Sequence, residues 1–201
     1  VNMNDGSQVD LPQPLKNITI SAHPTQHTVP SCAWRVSTGG RKGKFNRVAT
    51  QHLPDEIKAV LAAGNDIEYE GELLEAMNFR SNYRPGQSVI ISGDTAEQAI
   101  DSECDLLIHE ATFLKTHTDI ANEHLHSTAA GAARTAVECN AKHLALTHYS
   151  GRLENHDSSL KEAREIHSSV VALSDGDRLI LNDDYSLQHL VKSPEGWNHQ
   201  G

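Results

Sequence analysis

Three short apolar runs, each ending in residues that can bind a metal or move a proton, constrain the fold of this chain most. The runs and their polar ends are "SVIISGDT" (88–95) with Asp94, "CDLLIHEAT" (104–112) with His109 and Glu110, and "HLALTHYS" (143–150) with His148. Short apolar runs bounded by polar turns are typical of buried strands. In a layered α/β sheet, sites form at the ends of neighbouring strands, so we expect these polar residues to meet.

Helical segments alternate with these strands, which favours an α/β layered sheet. An alanine-rich helix is predicted from residue 127 to residue 140, with Ser127 or Thr128 as its N-cap. The other predicted elements are strands at 17–23, 32–37 and 170–176, helices at 54–64, 95–103 and 158–169, a small hairpin at 65–74 and a terminal hairpin at 177–190.

The composition predicts an ordinary soluble domain. The chain has 201 residues, of which 37% are hydrophobic and 22% charged, enough for one domain with a sizeable core. We therefore expect a single domain over 1–201, with an insert or arm region at 38–86. There is no apolar run long enough for a membrane span and no opening signal segment, so the expected location is cytoplasmic. Three cysteines without a CxxC pair argue against a disulfide framework or a cysteine zinc site, and Cys104 and Cys139 are expected in the core.

A basic strip stands out against the acidic background of the chain. The formal net charge is −10, which argues against a surface that binds nucleic acid everywhere. The segment "GGRKGKFNR" (39–47) nevertheless concentrates four cations: Arg41, Lys42, Lys44 and Arg47. Such a run is usually a solvated loop, and contact with a polyanion is the functional alternative.

Histidine is unusually common, with thirteen residues scattered along the chain. Neutral imidazole is the commonest metal ligand in proteins. A lone histidine is nevertheless more often a surface or hydrogen-bonded residue than a ligand. We assign that structural role to most of them: His52, His117, His124, His143, His156, His167, His189 and His199.

Five motifs together resemble the ribonuclease Z family, the tRNA 3′-processing endonucleases of the metallo-β-lactamase superfamily. They are "HTVPSCAWRV", "SGDT", "DLLIHEATF", "HSTAAGAARTA" and "LTHYSGR", in that order, and the resemblance covers roughly residues 17–190. It implies a metallo-β-lactamase αβ/βα sandwich and a metal-dependent endoribonuclease acting on tRNA precursors. It also suggests a homodimer.

The resemblance implies a role for each matching residue. His27, Asp94 and His148 match ligands of two zinc ions, with Asp94 as the bridging carboxylate, although the same ligand types accept manganese or iron. His126 matches the catalytic histidine that protonates the leaving oxygen, and Glu110 matches the acid that orients and charges it. His23 is a weaker match than His27, because it lacks the Thr-Val-Pro-Ser context. Arg152 follows His148 closely enough to reach a phosphate, so we include it with the basic strip as a substrate-binding residue.

Two departures from the family pattern affect these expectations. The family's first ligand cluster, HxHxDH, does not occur in the chain and is expected upstream of Val1. The chain then corresponds to the C-terminal part of the enzyme, without the first half of the sandwich, and is expected to be inactive alone, because about two ligands per zinc are fewer than the usual three. The 38–86 segment lacks the Gly-Pro tip of the family's RNA-binding arm, so the arm is shortened or tRNA is held differently.

Two other functions stay open from the sequence. The chain could belong to a related metallo-hydrolase that acts on another phosphodiester or ester, since a ligand set does not define a substrate. It could also be a catalytically dead half that binds RNA or a partner chain.

Overall fold

The computed structural model of the chain describes residues 7–8, 15–81 and 84–199. The strands are β1 (Ser7–Gln8), β2 (Ile18–Thr25), β3 (Ser31–Thr38), β4 (Ile67–Tyr69), β5 (Glu72–Leu74), β6 (Ser88–Ile91), β7 (Leu106–Glu110), β8 (His143–Thr147), β9 (Val170–Ala172), β10 (Arg178–Leu181), β11 (Leu187–Ser193) and β12 (Gly196–His199). The α-helices are α1 (Asp55–Ala63), α2 (Thr118–His124), α3 (Ala129–Glu138) and α4 (Asp157–Arg164), and short 3-10 helices span Leu15–Asn17, Ala76–Phe79 and Lys115–His117.

The contacts divide the chain into two compact units. Unit 1 comprises the residues up to Thr38 and from Gln87 onward, and unit 2 comprises Gly39–Gly86. The single domain with an insert at 38–86 stays a prediction.

Unit 1 is built on a seven-stranded mixed sheet with the order β1-β2-β3-β6-β7-β8-β9. The pairs β6–β7, β7–β8 and β8–β9 are parallel, whereas β1–β2, β2–β3 and β3–β6 are antiparallel. The three apolar runs of the sequence form β6, β7 and β8, which lie side by side, so their carboxyl ends share one edge of the sheet. The α/β class predicted from the sequence is confirmed.

The core of unit 1 lies between this sheet and the alanine-rich helix α3. Leu107 of β7 and Leu144 and Leu146 of β8 are fully buried against α3 alanines. Small alanine side chains let a helix approach the sheet closely, and the close packing holds the start of α3 beside the strand ends. Thr128 is the N-cap, because its hydroxyl accepts a hydrogen bond from the Gly131 amide at 2.9 Å. Cys104 and Cys139 are in this core, as predicted.

The helix predicted at 95–103 is wrong, because that segment forms turns. Its backbone amides bond to other elements: the Thr95 amide donates to the Glu110 carboxylate at 2.8 Å and the Gln98 amide to the Thr135 hydroxyl at 3.1 Å. These distant acceptors replace the intrahelical carbonyls. The sequence analysis also missed the short helix α2 and the strand β12, which extends the predicted terminal hairpin into a three-stranded sheet, β10-β11-β12.

Unit 2 packs α1 and the β4–β5 hairpin around a small core centred on Leu53, Leu61 and Ala76. The predicted helix and hairpin are both confirmed. The C-terminal carbonyls of α1 are bound by two cations, since Lys42 donates to the Ala63 carbonyl at 3.3 Å and Arg80 to the Ala62 carbonyl. Positive charge at a helix C-terminus is stabilised by the helix dipole.

Across 7–8, 15–81 and 84–199, none of the helices combines the length and apolar character that crossing a membrane requires.

Candidate active site

Four candidate residues from separate segments meet at the edge of the sheet where β6, β7 and β8 end. The His126 ring lies between two other imidazoles, with ring centroids 4.8 Å from His27 and 5.6 Å from His148. The Nε2 atom of His148 is 3.5 Å from a carboxylate oxygen of Asp94. The structure therefore brings together His27, Asp94, His126 and His148, while Arg152 lies farther along the loop after β8.

A tight turn after β6 delivers Asp94 to this edge. Gly93 adopts φ +62°, and a Cβ at this position would lie 3.0 Å from the Cys32 carbonyl oxygen. Glycine is therefore favoured both by the left-handed backbone and by the close approach to β3. The Ser31 hydroxyl, which donates to the Asp94 carbonyl at 2.9 Å, holds the turn from the other side.

His27 reaches the site from the loop between β2 and β3, and its orientation is set by a backbone carbonyl. Its Nδ1–H donates to the Leu125 carbonyl at 3.0 Å. Leu125 ends α2 in the left-handed conformation, with φ +53°, which is uncommon for a branched residue and typical of functional sites. Because Nδ1 carries the proton, the Nε2 lone pair of His27 is available as a metal ligand.

Glu110 is the polar centre of the site, since it is 1% exposed and accepts five hydrogen bonds. One oxygen, Oε1, accepts from the Thr95 amide at 2.8 Å and from His126 Nδ1 at 2.7 Å. The other, Oε2, accepts from the Thr112 hydroxyl at 2.6 Å, the Ser127 amide at 3.1 Å and the Thr112 amide at 3.3 Å. One carboxylate thus ties together the loops that follow β6 and β7 and the start of α3.

The His126–Glu110 contact determines which nitrogen of His126 is available for chemistry. Nδ1 donates to the carboxylate, so Nε2 is the atom free to exchange a proton. The His126 side chain is 17% exposed, which keeps it accessible while its partner is buried. The buried carboxylate fixes the orientation and the tautomer of the His126 ring, a geometry that general acid–base pairs share.

Thr112 controls the tautomer of His148. Its single hydroxyl proton is donated to Glu110 over the shorter distance, 2.6 Å, so its oxygen accepts from His148 Nδ1 at 2.9 Å. The bare Nε2 of His148 then faces Asp94. His148 itself has φ +53°, a strained conformation immediately after β8 that aims the ring at the site.

The donor set at this edge fits a divalent metal. The ligand atoms of His27, Asp94 and His126 lie within 4.8 Å of one another, and so do those of Glu110, His126 and His148. Imidazole nitrogen and carboxylate oxygen are the ligands that zinc and manganese use in hydrolases. His126 belongs to both groups, and its Nε2 is the nitrogen that the contact of Nδ1 with Glu110 leaves free.

Curated relatives of the chain are ribonuclease Z proteins. One from Methanosarcina mazei is 33% identical over 168 residues, which is 80% of this chain and 55% of that protein. One from Prochlorococcus marinus (strain MIT 9303) is 34% identical over 173 residues, which is 80% of this chain and 54% of that protein. The chain is a homologue of ribonuclease Z. It spans about half the length of the curated relatives it matches.

The fold of this ribonuclease Z homologue is that of the metallo-β-lactamase proteins. The metallo-β-lactamase fold protein YhfI from Bacillus subtilis superimposes with a TM-score of 0.51 and 20% identity, covering 84% of this chain and 48% of that one. The predicted fold class is therefore confirmed. No family model matches the chain.

One strand-end histidine of this homologue lies outside the site. His109 precedes Glu110 on β7, so strand alternation places its ring on the opposite face of the sheet. It is fully buried, with Nδ1 2.7 Å from the Glu110 carbonyl and no partner for Nε2 among the described residues. Burial lowers the pKa of His109 and so favours the neutral imidazole. His23 also lies apart, bound to the Ser21 hydroxyl in β2.

The predicted substrate-binding residues fall into two places. Arg152 borders a cavity of about 240 Å³ whose wall includes Phe113, Ser150 and Thr112, the residue that bonds to Glu110. The four cations of the basic strip are exposed residues of unit 2. Lys42 is engaged at the end of α1, which leaves Arg41, Lys44 and Arg47 as the more available charges.

The sequence analysis missed the residues that organise the site without binding the metal. Thr95, Thr112, Ser127 and the Leu125 carbonyl each hold a histidine or Glu110 in place. Three of them stand inside the motifs "SGDT", "HEAT" and "HST", so the motifs contained the signal. Within each motif, residue type singled out the metal-binding or acid–base side chain and not the serine or threonine close to it.

Proposed function

We propose that the chain supplies the proton-transfer pair and part of the zinc site of an endoribonuclease that removes 3′ trailers from tRNA precursors. The observation that carries the proposal is the buried Glu110 bound to His126 beside three ligand-type side chains, in a homologue of ribonuclease Z. In this role His126 protonates the leaving 3′ oxygen from Nε2, and Glu110 stabilises the imidazolium before the transfer. Arg152 would hold a phosphate of the RNA at the neighbouring cavity.

Two zinc ions, held in part by His27, Asp94 and His148, would supply Lewis acidity toward the scissile phosphate. A catalytic zinc normally has three protein ligands, and these three side chains are too few for two ions. We infer that the remaining ligands come from residues outside this chain, of the HxHxDH type, and that the chain is inactive without them. Manganese or iron would use the same ligands. A homodimer remains a prediction from the family resemblance, and a cytoplasmic location remains a prediction from the sequence pattern.

Metal analysis beside single-turnover cleavage of a tRNA precursor, with the full-length protein, tests the assigned roles. Asp94→Ala should lose both metal and cleavage, because the proposed metal site would lose a carboxylate ligand. His126→Ala should keep metal and RNA binding but slow cleavage about a hundredfold or more. His124→Ala, an exposed histidine two residues away, is the matched control and should behave like wild type. If His126→Ala lost its metal while Asp94→Ala kept it, the two roles would have to be exchanged.

The basic strip is tested separately through RNA binding. Replacing Arg41, Lys44 and Arg47 by alanine should weaken binding and flatten its salt dependence, with the cleavage step unchanged once RNA is saturating. A control of equal net charge removes three exposed cations of unit 1: Lys161, Arg178 and Lys192. Equal loss of binding in both variants would mean that net charge, and not the strip, attracts the RNA.

A further inference from the structure

A buried glutamate outside all the recognised motifs holds the two segments that carry the catalytic pair. Glu162 of α4 is 7% exposed. The Lys115 amide donates a hydrogen bond that is shared between the two carboxylate oxygens, at 2.9 Å from each. The Ala130 amide donates to Oε1 at 2.9 Å. Within the described parts of the chain, no lysine, arginine or histidine forms an ion pair with it. Its bonding partners are therefore backbone amides alone.

These amides belong to the segments of Glu110 and His126. Lys115 follows Glu110 by five residues, and Ala130 follows His126 by four. The same two segments are joined directly, because the Phe113 amide donates to the Ser127 carbonyl at 3.1 Å and the Ala129 amide to the Phe113 carbonyl at 2.9 Å. Glu162 adds a further connection between the two segments, beyond these two backbone hydrogen bonds.

The bond to Ala130 also completes the N-terminus of α3. The first four amides of a helix have no partner within it and need acceptors from elsewhere. Two of these amides have acceptors nearby: Ala129 bonds to the Phe113 carbonyl and Gly131 to the Thr128 hydroxyl. Glu162 supplies the acceptor for the Ala130 amide between them, and the Ala132 amide makes the first intrahelical bond, to the Thr128 carbonyl. A carboxylate is also favoured at this end of the helix by its dipole.

We propose that Glu162 is a positioning residue for the His126–Glu110 pair. By accepting both amides, it fixes the two segments relative to each other and so maintains the 2.7 Å contact between His126 Nδ1 and Glu110 Oε1. Its catalytic consequence rests on the proposed function, in which this pair protonates the leaving oxygen. A misplacement of about 1 Å in such a pair lowers the rate on the order of a hundredfold.

The same helix offers a matched control. Glu165 lies one turn further along and pairs with the side chain of the same lysine, Lys115, at 3.1 Å, with both groups exposed. Exposed ion pairs of this kind contribute little to the stability of the fold. Glu165→Gln removes the charge and the side-chain contact but leaves the backbone amides of Lys115 and Ala130 in place.

The experiment compares Glu162→Ala, Glu162→Gln and Glu165→Gln in the full-length protein. For Glu162→Ala we expect faster amide exchange at Lys115 and Ala130, loss or broadening of the His126 Nδ1–H resonance, and a kcat lower by about tenfold to a hundredfold. RNA binding and metal content should stay unchanged. Glu162→Gln should be closer to wild type, because Oε1 already accepts both amides and an amide oxygen can replace it. Glu165→Gln should match wild type in every measurement.

Two results would overturn the proposal. One is an equal loss of kcat in Glu162→Ala and Glu165→Gln, and the other is faster amide exchange with an unchanged His126 resonance and kcat. If Glu162→Ala does not fold, the test uses the His126 Nδ1–H resonance and the kcat of Glu162→Gln. If both are unchanged from wild type, the positioning role is refuted. If the wild-type protein cleaves no tRNA precursor, the proposed function fails, whereas amide exchange and the His126 resonance still decide whether Glu162 positions the pair.

Discussion

Replacing Glu110 by glutamine is the sharpest test of the site, because it keeps the shape of the side chain and removes only its charge and one acceptor. Glutamine has one oxygen and one NH₂ group where glutamate has two oxygens. If the NH₂ group replaces Oε2, the Thr112 hydroxyl can turn and accept, but the Ser127 amide loses its acceptor. If it replaces Oε1, His126 can change tautomer, but the Thr95 amide loses its acceptor.

The magnitude follows from counting these bonds. In either orientation at least one buried backbone amide is left without an acceptor, which costs about 1–3 kcal/mol. The remaining hydrogen bonds to the side chain become neutral, and each loses on the order of 1 kcal/mol relative to a charged acceptor. With three or four such bonds remaining, we expect the free energy of unfolding to fall by about 4–7 kcal/mol, which a domain in the upper part of the ordinary stability range of about 5–15 kcal/mol can survive. Cleavage should fall at least about a hundredfold, since His126 loses its negative partner.

Urea unfolding and single-turnover cleavage measure the two effects on the same full-length protein. Glu123→Gln is the control, because it makes the same chemical change at an exposed position of α2. A loss of less than about 1 kcal/mol with unchanged cleavage would refute the assignment of Glu110 as the charged centre of the site. Glu110→Ala is less informative, because removing all five hydrogen bonds disturbs three segments at once.

Two further predictions concern groups away from the His126–Glu110 pair. Burial raises the pKa of Cys104 to about 12 and that of Cys139 to about 11, so at pH 8 their thiolate fractions should be only roughly 1 in 10,000 and 1 in 1,000. Quantitative thiol labelling should therefore be slow at both cysteines until urea unfolds the protein. Rapid labelling of Cys104 in the native protein would contradict this prediction. For Asp177, desolvation raises the pKa, but the Ser174 amide, the side chain of His189 at 2.8 Å and the Lys192 amide together lower it below its usual value. A lowered carboxyl pKa stabilises the fold above the unfolded value of about 3.9 and loses that contribution as pH falls through the folded value. The stability difference between wild type and Asp177→Asn should therefore be full at neutral pH and shrink below about pH 4 in urea titrations, and a difference that is independent of pH would contradict the role of the carboxylate charge.

Local patterns in the sequence were sufficient to predict the central strands and to locate the side chains that can bind a metal or move a proton. The apolar runs of β6, β7 and β8 differ from their surroundings within a few residues, so their strand character and their polar ends could be predicted directly. The start of α3 at Thr128 was predictable for the same reason, because a hydroxyl N-cap acts on an amide three residues away. The candidate residues His27, Asp94, Glu110, His126 and His148 could be named from the sequence because each stands inside a short motif.

Tertiary contacts determined why no helix forms at 95–103, and they determined the tautomer and the hydrogen bonds of the site histidines. Residues 95–103 have a helical composition, but their amides bond to Glu110 and Thr135, which are 15 and 37 residues distant from the donors. The tautomers of His27 and His148 depend on Leu125 and Thr112, which are 98 and 36 residues away.

Glu162 was invisible to motif analysis, because its partners Lys115 and Ala130 are 47 and 32 residues before it. A local sequence pattern indicates the secondary-structure preferences of residues that are a few positions apart. A buried carboxylate finds its hydrogen-bond donors only after the chain has folded, so the residues that can bind and react were determined locally, and the geometry that makes them a site was determined by the fold.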